Sequence, residues 1–260
     1  MKLVRPISTL LLLLSLSLGL FAFQRGGRRQ RSYYSDGPSV PSEFYFSRLQ
    51  FNTIYGGGFG YGGAWDQDWP KADNDCLVAL RRLTRINSPS PLNVADLSSD
   101  TLFDYPWIYS INPEYWSFTD AEAKRLHDYL LKGGFLMVDH FHGTDDWEHF
   151  MAGMRQVLPD AQVEDLKDAD EIYHVLYDIN EKFQIPGEQY VRSGITYEKD
   201  GYVPKWRAIR NSHGRIMVAI CHNMHLGDAW EHSDEASYPE KFSGLAFRIV
   251  LNYVMYSMTH

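Results

Sequence analysis

The sequence predicts an α/β protein built on an open, mainly parallel sheet with helices on both faces. Three observations predict it. From residue 43 onward, strand-like and helix-like segments alternate in the order β-α-β-β-α-β-α. The segment Tyr105 to Ile111 (YPWIYSI) is continuously apolar, as a strand covered on both faces should be. The segment from Phe118 to Gly134 carries start signals, stop signals and an apolar stripe, which together specify a helix.

In order along the chain, Phe44 to Phe51 alternates apolar and polar residues as a strand does, and a glycine-rich loop follows. Asp75 to Ile86 reads as a helix, and Pro91 to Val94 as a short strand before Tyr105 to Ile111. In the next helix Thr119 is placed to cap and Glu122, three residues on, to complete a capping box; Ala123, Leu126 and Leu130 form the inward stripe, and Gly133 and Gly134 end it. Phe135 to Asp139 is a strand, and Thr144 to Val157 a helix bounded by Pro159. Residues 160 to 204 show short apolar pieces among frequent breakers and read as an insertion or a β-rich excursion. Trp206 to Arg210 and Arg215 to Cys221 form a hairpin-like pair across Ser212, His213 and Gly214, and Lys241 to Met258 is a closing helix with Phe242, Leu245, Ala246, Ile249 and Tyr253 on one face.

The N-terminus reads differently. Lys2 and Arg5 precede an apolar run from Ile7 to Phe23, and an arginine-rich stretch follows, so residues 1–23 are expected to be a signal peptide, with a cleavage point after Ala22, or an uncleaved anchor. No Cys follows the run, which excludes a lipoprotein anchor. Residues 24–42 have the Gly, Arg, Ser and Pro content of a linker, leaving residues 43–260 as a single α/β domain. The expected location is therefore exported, periplasmic or cell-envelope, with membrane contact only through the N-terminal segment.

Composition narrows the class of function. With 44% apolar residues and two Cys among 260, the chain is neither disordered nor a disulfide scaffold. Its net charge of -8 conceals an asymmetry, because six cations precede the first acid, Asp36; without them 19 Lys and Arg face 33 Asp and Glu, a balance of -14. A body that acidic repels a phosphate backbone, which argues against nucleic acid as a partner.

In open α/β sheets, ligands sit at the carboxyl ends of the strands, and three groups of residues fall there. The loop Tyr55 to Gly63, followed by Trp65, Asp66 and Asn74, has the glycines of an anion cradle but neither phosphate-loop spacing, and reads equally as a mobile loop. Tyr109, Ser110 and Asn112 close the central strand. Asp139 to His149 holds seven ionisable side chains in eleven residues. Its His140-x-His142 pair, with a nearby carboxylate such as Asp146, suits a divalent metal; alternatively Asp145 and Asp146 complement the positive start of the following helix. Asp139, last residue of its strand, is expected to face the crevice.

A second cluster, Cys221 to His232, also follows a strand, and if that strand is parallel to the others both clusters converge on one rim. Asp228 and Glu231 flank Trp230, and read either as acid–base candidates or as a turn tied by side-chain hydrogen bonds. Cys221 has three readings: a nucleophile beside His222, a buried apolar residue, or a disulfide partner of Cys76.

Taken together, FYFSRLQF (44–51), YPWIY (105–109), the helix ending in Gly133-Gly134, FLMVDHFHG (135–143), LGDAWE (226–231) and NYVMY (252–256) resemble the bacterial family known as domain of unknown function 4159, over nearly all of residues 43–260. The resemblance implies a flavodoxin-like three-layer sandwich similar to class I glutamine amidotransferase domains, in exported or membrane-associated proteins, and no established activity. The amidotransferase G-x-C-x-G elbow has no counterpart: Phe135 to Val138 leads to Asp139 and His140, so no glutaminase triad carries over.

Two functions follow. One is a non-catalytic envelope domain holding a small ligand, a carbohydrate or an envelope protein through Tyr55, Trp65, Asn74, Asn112, Asp139 and Trp230, with rim aromatics as the contact faces. The other is a small-substrate hydrolase, metal-assisted through His140, His142 and Asp146, with Asp139, His140, Asp228 or Glu231 as acid and base.

Overall fold

The computed structural model describes residues 42–53, 64–88 and 92–260. The expected leader, nearly all of the linker, Tyr55 and the glycine-rich loop lie outside the described residues.

The sheet has seven strands: β1 (Ser47–Gln50), β2 (Asn93–Asp96), β3 (Trp107–Ile111), β4 (Phe135–Asp139), β5 (Val163–Asp165), β6 (Lys205–Arg210) and β7 (Ile216–His222). Their spatial order is β2-β1-β3-β4-β7-β6-β5. The first five are parallel, with β3 and β4 in register from Trp107 opposite Phe135 to Ile111 opposite Asp139. The hairpin expected across Ser212 to Gly214 forms as β6 and β7, and β5 extends it, so the sheet ends in an antiparallel edge.

Helices α1 (Lys71–Leu83), α2 (Asp120–Leu131), α3 (Gly143–Val157), α4 (Gln189–Ser193), α5 (Leu226–Glu231) and α6 (Glu240–Thr259) flank the sheet. Side-chain alternation along β3 and β4 divides the core: Trp107, Tyr109, Ile111, Phe135 and Met137 pack with α1, α5 and α6, whereas Ile108, Leu136 and Val138 pack with α2 and α3. Both faces are covered, which explains why these strands read as continuous apolar runs rather than alternating ones. The α2 start forms as expected: Thr119 Oγ1 accepts from the Glu122 N–H, and the Glu122 carboxylate accepts from the Thr119 N–H at 2.8 Å.

The segment from 160 to 204 is not β-rich. It contributes three residues of strand, one 3-10 turn (Glu171–Tyr173) and α4, and otherwise runs irregularly over α6 and the end of β7. Side-chain amides hold it there: Asn252 of α6 exchanges hydrogen bonds with the Tyr177 backbone at 2.8 and 2.9 Å, and Gln184 donates to the carbonyls of Gly201 and Asn223.

Candidate functional site

Because β4 and β7 are parallel neighbours, the clusters that follow them meet at one rim. Asp139 ends β4 and is fully buried. Its Oδ2 accepts from Tyr109 Oη at 3.0 Å and from the N–H groups of Leu226 and Gly227 at 2.7 and 3.1 Å, joining β3, β4 and the first turn of α5. A Cβ at Gly227 would lie 2.7 Å from Asp68 Oδ2, so any larger residue there would have to displace that carboxylate. Asp139 Oδ1 has no hydrogen-bond partner, and burial pushes the carboxyl up to about 6 against the opposing pull of His225, Gly227 N–H and Tyr109.

His140 follows in a left-handed conformation, φ 55°. Such geometry costs an L-residue about 1–2 kcal/mol, and it turns the imidazole into the crevice. The ring lies flat on that of His225, with centroids 3.3 Å apart and planes 10° apart, and 5.6 Å from the ring of His142. Neither His140 Nδ1 nor either ring nitrogen of the buried His142 has a hydrogen-bond partner. Burial, reinforced by the charge of His225, holds both imidazoles neutral, well below the ordinary histidine range.

His225 is the opposite case. Its Nε2 faces Asp68 Oδ2 at 2.9 Å and its Nδ1 faces Asp228 Oδ2 at 3.2 Å. Burial disfavours the imidazolium, but Asp228 and Asp68 outweigh it and push His225 up to about 10. Asp68 is presented by the loop before α1. Arg48 of β1, paired with Asp73 of α1, donates to the Trp65 and Gln67 carbonyls of that loop. Asn112 reaches the same loop from β3, donating to Ala64 O at 2.8 Å and Gln67 Oε1 at 3.0 Å.

The remaining wall comes from residues 194–204, where Glu198 stands partly buried and the exposed Lys199 and Asp200 reach across to the start of α3. Glu198 Oε1 stands 3.6 Å from His142 Nε2. Lys199 Nζ binds Asp146 Oδ1 at 2.6 Å, and Asp200 caps α3 by accepting from Thr144 N–H at 3.0 Å and Thr144 Oγ1 at 2.6 Å. Gly143, φ 77°, lets Asp200 approach: a Cβ there would lie 1.8 Å from its Oδ1. Among the described residues, the non-glycine positions of positive φ are Asp68, Asn112, His140, Lys199 and Asn223, and each presents or supports a wall of this rim.

The sequence-predicted residues divide accordingly. Asp139, His140, His142 and Asp228 come together. Asp146 is buried close by but turned away from the imidazoles, its oxygens engaged by Lys199 and by the His142 N–H. Glu231 sits half-buried at the far end of α5, within reach of Asp228 and His232 rather than of the histidine pair, and burial pushes it up to about 7. Asn74 is exposed on the first turn of α1. The aromatics expected to offer open faces do not: Trp230 is 0% exposed against Tyr109, and Trp65 is buried beside Trp69. They serve the core because α5 packs Trp230 against Tyr109 and a 3-10 turn lays Trp65 against Trp69. Cys76 and Cys221 are both free and buried.

Sequence reasoning missed Asp68, Glu198 and the central place of His225. The spacing of His225 to Asp228 was a signal, since residues three apart share a helix face. Glu198 offered none, because its segment has no period.

No curated protein matches the chain. A family model described as "Domain of unknown function (DUF4159)" matches residues 46–258, which includes every described residue of the rim. The chain belongs to that family.

Proposed function

We propose that the chain is an exported hydrolase of a small polar substrate, working at the rim where β3, β4 and β7 end. The observation that carries this reading is the set of unpartnered buried polar atoms gathered there: His140 Nδ1, both nitrogens of His142 and Asp139 Oδ1. Each unsatisfied buried group costs about 1–3 kcal/mol, so a fold that collects several in one crevice holds them for a ligand. Their chemistry is complementary. Asp139 Oδ1 is a free proton acceptor, and His225, with both nitrogens facing carboxylates, is the proton-bearing imidazole. Water adds to the substrate's electrophilic centre and gives a proton to Asp139, Asp139 returns that proton to the leaving group as its bond to the centre breaks, and the imidazolium, held between Asp68 and Asp228, supplies a fixed positive charge beside the carboxylate. The reading of residues 1–23 as a signal or anchor supports delivery to the envelope, and N-terminal sequencing of the mature chain tests it.

The non-catalytic alternative, a carbohydrate- or protein-binding envelope domain, has one observation in its favour. Tyr197 and Tyr202, 39% and 63% exposed, form an edge-to-face pair on the segment that carries Glu198. Trp65 and Trp230 give it no support, because both are enclosed.

The test is a panel of chromogenic esters, amides, phosphoesters and glycosides with the purified chain, supplied in turn with zinc, manganese and magnesium. Turnover on one class, reduced at least about 100-fold in Asp139→Asn, is the expected result. No turnover above blank on any class, with Asp139→Asn indistinguishable from the parent, would favour the binding domain.

A further inference from the structure

We infer that His140, His142 and Glu198 form a site for one transition-metal dication of the zinc class. The inference rests on the hydrolase reading for what the ion does, not for whether it binds. One ligand atom from each of the three residues lies within 4.8 Å of the others. His142 Nε2 and Glu198 Oε1 are 3.6 Å apart, too far for a hydrogen bond. That separation fits a shared ion: with metal–nitrogen and metal–oxygen bonds of about 2.0–2.1 Å, it subtends an angle of about 120°.

Two other carboxylate–histidine groups nearby are already committed. Asp68, His140 and His225 also lie within ligand distance, but His225 has Asp68 on one nitrogen and Asp228 on the other. In the group Asp228, Glu231 and His232, Asp228 accepts from the Glu188 N–H at 2.6 Å and His232 pairs with Glu235 at 2.7 Å. His140 and His142 are different, because their buried nitrogens have no protein partner. The third ligand is therefore Glu198 rather than Asp146, whose oxygens are taken by Lys199.

The donor set selects the ion. Two imidazoles and one carboxylate suit zinc, iron, manganese or cobalt, whereas magnesium and calcium prefer all-oxygen shells. Three protein ligands leave a coordination position for water, the arrangement of catalytic rather than structural sites. The charge balance agrees: Asp68, Asp139, Asp228, Glu198 and Asp146 line or adjoin the crevice, against Arg48, Lys199 and His225. The path of residues 194–204 brings the third ligand within reach. Lys199 and Asp200, the two residues after Glu198, latch that segment to the first turn of α3, and Glu198 stands next to the latch against His142.

The test is calorimetric titration of the metal-stripped full chain with zinc chloride, together with the visible absorption of the cobalt-loaded chain. One zinc per chain is expected, with affinity lowered at least about 100-fold in His142→Asn and Glu198→Gln, and with the intense d–d bands of four- or five-coordinate cobalt lost in both. Metal-free melting curves of the two variants that match the parent's show that each is folded. Parental zinc affinity in both variants would overturn the site, as would loss of binding in Asp68→Asn with Glu198→Gln unaffected. Stoichiometric zinc on His142 and Glu198 without turnover on any substrate class sinks the hydrolase reading and leaves the site standing. Turnover indifferent to zinc and to Glu198→Gln does the reverse.

Discussion

Replacing Glu114 with Gln should change how stability depends on pH. Glu114 follows β3, is 8% exposed, and leaves Oε2 without a partner. Burial, with the nearby charge of Asp146, pushes its carboxyl from the ordinary 4.5 up to about 8. The folded state therefore holds a proton that the unfolded chain releases. Its stabilising effect is complete below pH 4.5 and is lost as pH rises through 8. Between pH 6 and pH 8 the folded group goes from almost fully to half protonated while the unfolded group stays ionised. Linkage then gives a loss of about 2.3 kcal/mol over that interval, or roughly 5–9 °C in Tm for a chain of this size. The Gln variant has no such proton, so urea unfolding at pH 6 and pH 8 should show the parent losing about 2 kcal/mol more than Glu114→Gln. Equal losses in the two proteins would refute the placement of a protonated carboxyl at that position.

Asp73→Ala leaves Arg48 buried and unpaired beneath the site, and should cost about 3–5 kcal/mol in urea unfolding, with Arg48→Met restoring part of the loss in the double variant. Since Arg48 also holds the loop that presents Asp68, the single variant should be impaired at the rim as well. Gly143→Ala drives a Cβ into Asp200 and should free residues 194–204; chymotrypsin cleavage at Tyr197 and Tyr202 is expected to accelerate, and an unchanged cleavage rate would show that the latch is not needed. A thiol reagent should find neither cysteine in the folded chain and both in denaturant without reductant, whereas none in denaturant would show that Cys76 and Cys221 pair.

The sheet was legible because its physics is local. Strands covered on both faces read as nearly continuous apolar runs, and Phe135 to Val138 and Trp107 to Ile111, where Ser110 is the exception, do so. The α2 start was legible because a capping box satisfies backbone donors with side chains three residues apart. Half of the candidate site was readable for a related reason: histidines and aspartates that directly follow buried strands sit at the rim whatever the rest of the chain does. Glu198 and Asp68 were not, because loops bring them in, and loop paths are set by distant anchors such as Gln184 on Asn223 and Arg48 on Trp65. Trp230 misled for a different reason, the packing of its helix. A tryptophan between Asp228 and Glu231 reads as exposed until α5 packs it against Tyr109.

The most direct measurement is a crystal structure of the zinc-loaded chain with anomalous diffraction recorded at the zinc edge. One peak about 2.0–2.2 Å from nitrogens of His140 and His142 and from an oxygen of Glu198, with water at a fourth position, is the predicted result. A peak between Asp68 and His225, or none at full zinc occupancy in solution, would contradict it.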